Sequence, residues 1–298
     1  PLDYRIFERA YNLNPTIPVY DSNGKFSNVI NTLYENPVEV LTDRTADNER
    51  HRLLGYFKTE VKFLNDFLAV ANISYEHNAV QGNLYKPSYA VLEGATEGGY
   101  AQKTYSEFAN AQGELYVNYN KVIDKHTIGA LAGYSYLENI YEGFGAQRSG
   151  FVTDAFSYNN LGAGYRYRLG DVYSYKGKSN LVSFYARANY AYDGKYLLTA
   201  TVRRDGSSRF GDNNKWGTFP SASAAWKISS EEFMSSTKGW LDNLKVRVGY
   251  GVTGNQDGIG EYKSLSILGV GKDSYYDPVT GTWSLAYSPQ QNPNPDLK

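Results

Sequence analysis

The sequence predicts an all-β fold, a transmembrane antiparallel β-barrel of which about eight strands lie in this chain. Three observations carry that prediction. Apolar and polar residues alternate with a period of two over segments of about ten residues. The connections between those segments are short on one side and long on the other. The composition is 29 Tyr, 29 Gly, 13 Phe and 4 Trp against a single Met in 298 residues, an aromatic content of 15% that departs from ordinary α/β enzymes.

The first strand is predicted over 52–63, with Leu53, Phe57, Val61 and Phe63 on one face, and the second over 67–78, with Phe67, Ala69, Ala71, Ile73 and Tyr75. Segments 113–121 and 125–137 repeat the pattern through Leu115, Val117 and Tyr119, and through Ile128, Ala130, Ala132, Tyr134 and Tyr136. The clearest alternation is Leu181–Tyr192, where Val182, Phe184, Ala186, Ala188, Tyr190 and Tyr192 share a face. Asp193-Gly194 then forms a two-residue hairpin turn, because both residues tolerate positive φ. Tyr196, Leu198, Ala200 and Val202 continue the apolar face on the return strand. Segment 219–228 carries Ala222, Ala224 and Trp226, and segment 244–253 carries Leu244, Val246, Val248, Tyr250 and Val252. Opposite these rows lie Arg187, Arg203, Asp205, Lys245 and Arg247, the expected lumen-facing charges, with Gly249 and Gly251 beside them.

The short connections are Leu64-Asn65-Asp66, Val122-Ile123-Asp124 and Asp193-Gly194, with 229–241 longer. The long ones are about 79–112, 138–178 and 255–298, with 1–51 before the first strand and a shorter one at 207–215. Soluble domains seldom hold several structureless loops above roughly 15 residues. About 12 residues at about 3.3 Å, tilted by about 45°, cover roughly 28 Å, close to the hydrocarbon thickness of a bilayer. Tyr190, Tyr192, Tyr196 and Trp226 fall near the short-turn ends, and Tyr75, Tyr136 and Tyr250 near the long-loop ends, as two interfacial belts. A soluble β-sandwich is the alternative reading of the same alternation.

Charge excludes some functions. Thirty Lys and Arg against 31 Asp and Glu give a net charge of -1, with no basic run to displace phosphate counterions, so no nucleic-acid partner is expected. Cysteine is absent, which removes disulfides, thiolate nucleophiles and Cys-ligated metals. His51, His77 and His126 have no metal-ligand spacing. A mean hydropathy of -0.53, with no apolar run of 18 residues, does not argue against a barrel, whose strands show lipid only every second residue. The chain begins Pro1-Leu2-Asp3-Tyr4, without signal-peptide features.

Chemical motifs are weak. Gly249-Tyr250-Gly251-Val252-Thr253-Gly254 is a literal GxGxxG, but turn residues rather than a helix follow it, so a dinucleotide cofactor is not expected. Asp21-Ser22-Asn23-Gly24 resembles the start of a calcium loop, but its twelfth position is Thr32 rather than Glu, and a β-turn is the expected structure. Asp205-Gly206-Ser207-Ser208-Arg209 reads as a tight turn. No catalytic, cofactor-binding or metal residue is assigned, the chain is not expected to be an enzyme, and substrate-binding residues stay open. The loops hold Tyr85, Tyr89, Tyr100 and Tyr105, then Tyr141, Phe144, Phe151, Phe156, Tyr158, Tyr165, Tyr167, Tyr173 and Tyr175, which suit either ligand stacking or loop packing.

The stretch Tyr196–Met234, YLLTATVRRDGSSRFGDNNKWGTFPSASAAWKISSEEFM, resembles the barrel of SusC/RagA-like TonB-dependent outer-membrane transporters. Leu241–Gln256, Asn14–Tyr20, Arg52–Gly55 and Asn294–Lys298 resemble the same family in the same order. The resemblance implies a 22-stranded barrel with an N-terminal plug that is absent from this chain, making residues 1–298 an internal piece of one barrel domain. Residues 1–51 and 255–298 would be extracellular loops, and 52–254 the eight strands with their loops. It implies TonB-dependent import of oligosaccharides or oligopeptides across the Gram-negative outer membrane. The implied partners are a SusD-like surface lipoprotein, the TonB–ExbB–ExbD system acting through the missing plug, membrane lipid, and a dimer of transporter–lipoprotein pairs. An autonomous small barrel channel and a secreted carbohydrate-binding or hydrolytic β-domain remain as alternatives.

Overall fold

The computed structural model describes residues 5–27, 36–89, 97–168, 170–237 and 239–298. Pro1–Tyr4, Thr32 and part of the 79–112 connection therefore lie outside the described residues. Two short helices, α1 (Arg5–Asn12) and α2 (Pro37–Asp43), come first. Asn36 caps α2 by accepting from the Val38 amide at 3.0 Å, with Pro37 at the first helical position where no amide is needed. The strands are β1 (Thr45–Phe63), β2 (Phe67–Lys86), β3 (Tyr100–Ile123), β4 (His126–Phe151), β5 (Gly164–Arg166), β6 (Val172–Tyr192), β7 (Tyr196–Ser207), β8 (Trp216–Lys227), β9 (Lys245–Gly251), β10 (Ile267–Asp277) and β11 (Thr282–Gln291).

Eight of these form one sheet in the order β1-β2-β3-β4-β6-β7-β8-β9, with β5 added to β4 and β10–β11 a separate hairpin. The sheet is open: β1 and β9 are its edges. Register explains the alternation in the sequence. Ala188 pairs Ala200, Ala200 pairs Ala222 and Ala222 pairs Tyr250, so the apolar rows of β6 to β9 fall on one face. Arg187 pairs Thr201, Thr201 pairs Ser221 and Ser221 pairs Gly251 on the other. A slip by one residue would exchange these faces, so the patterning fixes the register.

The short turns have the backbone their residues suggest. Asp193 and Gly194 have φ of 51° and 63°, the left-handed pair of a type I′ hairpin. Leu64 adopts φ of 46°, a conformation that costs a β-carbon residue roughly 1–2 kcal/mol.

Several predicted boundaries need correction. β2, β3, β4 and β6 run well past their predicted ends, so much of 79–112 and 138–178 is paired strand rather than loop. β1 starts at Thr45 rather than Arg52, residues 1–51 contain both helices, and 255–298 contains the β10–β11 hairpin. The extensions escape detection because polar and apolar residues mix on both of their faces, which leaves no two-residue signal. Pairing still satisfies their backbone N–H and C=O groups. β7 also continues through Ser207, so the turn begins at Ser208 and not at Asp205.

The chain divides into two compact units. The first, Pro1–Leu53 with Glu76–Ala109 and Tyr141–Gly177, has a small core of Tyr85, Ala101 and Phe151 packed by Tyr158, Leu161 and Ala163. The second, Leu54–Tyr75 with Asn110–Ile140 and Lys178–Lys298, holds much of the large sheet and the separate β10–β11 hairpin, and among its described residues Val70 and Ser183 are the largest fully buried side chains. No helix among the described residues is long and apolar enough to cross a membrane.

Candidate functional site

The polar face of the second unit carries a continuous side-chain ladder. Tyr56 on β1 donates its hydroxyl to Asn72 Oδ1 on β2 at 3.1 Å. Asn72 Nδ2 donates to Glu114 Oε2 on β3 at 3.0 Å, and Tyr185 on β6 donates to Glu114 Oε1 at 2.6 Å. Tyr185 reaches β3 by lying across β4 at Gly133, where a Cβ would stand 2.5 Å from the Tyr185 Cζ. Glycine here makes space for a ring, which is the usual meaning of a glycine inside a strand.

The ladder continues through Arg203, whose guanidinium carbon is 5.9 Å from the Tyr185 ring centre. Arg203 Nε donates to Asp205 Oδ1 at 2.7 Å, and Nη2 donates to Ser183 Oγ at 2.8 Å. Arg187 Nε donates to Thr201 at 3.3 Å. The register puts Lys245 opposite Lys227 and Arg247 opposite Ala225 on the same face. All five charges expected on this face are there. Sequence reasoning missed Tyr56, Asn72, Glu114 and Tyr185; their only signal was the polar half of the alternation.

The opposite face is apolar and open: Val248 is 71% exposed and Phe184 51%. Aromatic rows bound it at both ends. Near the short turns, Tyr192, Tyr196 and Trp226 stack in series at 6.5 and 6.4 Å, with Tyr190 hydrogen-bonded to His126 at 2.7 Å. Near the other end, Tyr134, Phe184 and Trp216 pack at 5.2 and 6.2 Å. The rows are separated by the ten-residue run from Tyr196 to Gly206, the partner of Trp216, or about 25 Å at the usual rise and tilt. That is the height of the lipid-facing band of an outer-membrane barrel.

Beyond Ser207 the chain is held by a polar clamp. Arg209 donates to the Ile259 carbonyl at 3.2 Å and to Glu261 Oε1 at 2.7 Å. Gly211 N donates to Leu297 O at 3.0 Å, and Asn213 Nδ2 to Asp296 Oδ1 at 2.8 Å. A β-carbon at Gly211 would collide with the Pro295 carbonyl, so glycine is required by close approach of two backbones. The RFGDNN and NPNPDLK segments are thus parts of one local structure.

In the first unit Asp154 accepts from Tyr85 at 2.6 Å and from the Ser88 amide and hydroxyl at 2.8 and 2.9 Å. Burial pushes the Asp154 carboxyl up, but those hydrogen bonds outweigh burial and hold it below its ordinary value. The loop aromatics divide between the two readings. Tyr85 and Phe151 are core, whereas Tyr89, Phe144, Tyr165 and Tyr167 are exposed. Asp21 accepts from the Asn23 and Lys25 amides at 2.8 and 2.9 Å, making the expected turn. No helix follows Gly254, and among the described residues no His, Asp and Glu group has metal-holding geometry.

Comparison with known proteins places this architecture. The family profile described as TonB dependent receptor-like, beta-barrel matches residues 1–298. TonB-dependent receptor P3 of Formosa agariphila is 33% identical over 264 residues, 88% of this chain and 26% of the relative. TonB-dependent receptor SusC of Bacteroides thetaiotaomicron is 28% identical over 283 residues, 94% of this chain and 27% of the relative. The chain thus spans about a quarter of the length of these curated relatives. The structure of the RagAB peptide transporter superposes with a TM-score of 0.78 at 22% identity, covering 94% of this chain and 30% of that one. Such a sheet, apolar between two aromatic rows and polar behind them, is part of a transmembrane barrel wall, and the chain belongs to the family of TonB-dependent receptor β-barrels of the outer membrane.

Proposed function

We propose that this chain is wall in an importer that brings oligosaccharides or oligopeptides across the outer membrane, energised through TonB. The observation that carries this reading is the two-faced sheet: lipid-compatible on one side, a hydrogen-bonded polar ladder on the other. The ladder residues bond mainly to each other, which suits a rigid lumen wall rather than a catalytic pocket. Import work then comes from TonB, ExbB and ExbD acting through a plug, and a SusD-like lipoprotein covers the outer mouth. The likeness to the RagAB peptide transporter supports the oligopeptide side of this reading, and the likeness to the TonB-dependent receptor SusC supports energising through TonB. The extended ends of β2, β3, β4 and β6, and residues 255–298, face the cell exterior in this reading, and transporter–lipoprotein pairs associate as dimers.

The test is uptake by cells of the source strain with and without the gene. Labelled oligosaccharide and oligopeptide pools are offered separately, with and without a protonophore. Gene-dependent accumulation of one pool that the protonophore abolishes is expected. Gene-dependent uptake insensitive to the protonophore would overturn energised import.

A further inference from the structure

A cation stands on the apolar face of β7. Arg204 follows Leu198, Ala200 and Val202 in the same row, and its register partners are Phe184 on β6 and Thr218 on β8. Its guanidinium carbon lies 5.4 Å from the Trp216 ring centre. Among the described residues it meets no carboxylate. Stacking occupies the flat face of a guanidinium and leaves its edge N–H donors available, in the fork that fits a phosphate. Arg204 therefore sits in the aromatic row of Tyr134, Phe184 and Trp216 with its donors unspent.

A groove begins two register pairs away, at Ala186 and Val202, the next pair on this face. It has a volume of about 550 Å³ and is floored by Ala130, Ala132, Ala186, Ala188 and Ala200. A second depression of about 680 Å³ shares Ala130, Ala188 and Ala200 and is walled by Tyr190, Leu198 and Val248. Methyl groups among larger side chains leave a slot that runs from the Arg204 row toward the short turns. Inside a bilayer that slot has no water to fill it, and an empty slot forfeits dispersion contacts along its lining. A charged guanidinium at the edge of hydrocarbon also needs a counter-charge. A phosphate on an acyl chain meets both needs, whereas a purely apolar occupant meets only one.

We propose that Arg204 and the alanine-floored groove bind one phospholipid of net negative charge, its phosphate on the guanidinium edge and an acyl chain in the groove. This rests on the apolar face meeting lipid, and not on which cargo is imported.

The test uses the full chain purified from outer membranes and native mass spectrometry. Phosphatidylglycerol and phosphatidylcholine with identical acyl chains are supplied in equal amounts. The wild type should retain one phosphatidylglycerol with about fivefold preference, the effect of one basic residue at a membrane surface. Arg204→Gln should bring that preference to unity while leaving uptake unchanged. Ala188→Leu, which fills the groove, should reduce retention of both lipids alike. If Ala188→Leu fails to fold, Ala200→Val serves the same purpose. An unchanged preference in Arg204→Gln, or unchanged retention in the filled groove, would overturn the site. So would a dimer that the groove-filling variant alone dissociates, because the occupant would then be a second copy. Lipid retention is read without transport, so failure of the uptake assay would leave this result standing.

Discussion

Gly133→Ala should destabilise the barrel wall through a residue on the neighbouring strand. The new β-carbon would stand 2.5 Å from Tyr185 Cζ and 2.6 Å from its hydroxyl, so the ring must swing off β4. A free ring would do so at little cost. This one is tethered at 2.6 Å to Glu114, and the swing breaks that bond. Hydrogen bonds to charged groups contribute about 1.5–3 kcal/mol, and the lower half of that range applies because both partners are only partly buried. Gly133→Ala should therefore cost about 2 kcal/mol. The assay is reversible urea unfolding of the full chain in detergent, followed by heat-modifiable migration. Tyr185→Ala should cost a similar amount, and the double variant no more than Tyr185→Ala alone, since the alanine methyl then enters vacated space. Additive losses in the double variant would refute the reasoning, because they would show that Gly133 acts on something other than Tyr185.

Three further outcomes follow from the same geometry. Leu64→Asn should stabilise by about 1 kcal/mol in the same urea assay, since asparagine tolerates the φ of 46° that leucine is forced to adopt. Arg209→Ala should speed hydrogen exchange across 256–261 by at least tenfold, because it removes donors to the Ile259 carbonyl and Glu261, worth about 2 kcal/mol. Acid should loosen the Asp154 cluster: its folded pKa lies below the model-peptide value of 3.8, so its contribution is full above about pH 4 and fades as pH falls through the lower folded value. Protection of the Ser88 amide relative to its intrinsic exchange rate should fall over that window, and Asp154→Asn should abolish that fall.

The membrane-height part of the wall was legible in the sequence because two solvents write a period of two into it. Ala188, Ala200, Ala222 and Tyr250 are apolar for one physical reason, and their register follows from keeping that row together. The same physics explains what was missed. Residues 100–112 and 138–151 are paired as well as residues 181–192, yet polar and apolar residues mix on both of their faces, so no two-residue alternation shows. Their pairing is inherited from strands already in register below them. Likewise, 255–298 looked like loop because nothing in its composition shows that Arg209 and Gly211 hold it from a distant turn.

Side-chain reach, rather than side-chain type, decided the polar ladder. Arg187, Arg203, Asp205, Lys245 and Arg247 were readable as inward residues from parity alone. That Glu114 collects Asn72 from one side and Tyr185 from the other was not, because Tyr185 crosses a whole strand to reach it. The crossing depends on Gly133, which in the sequence is one of 29 glycines. A strand glycine thus becomes informative only when the partner above it is known. The same holds for Arg204, which follows Val202 on the apolar side of the sheet. The stacked Trp216 and the groove beside it make it a feature of the face that meets lipid.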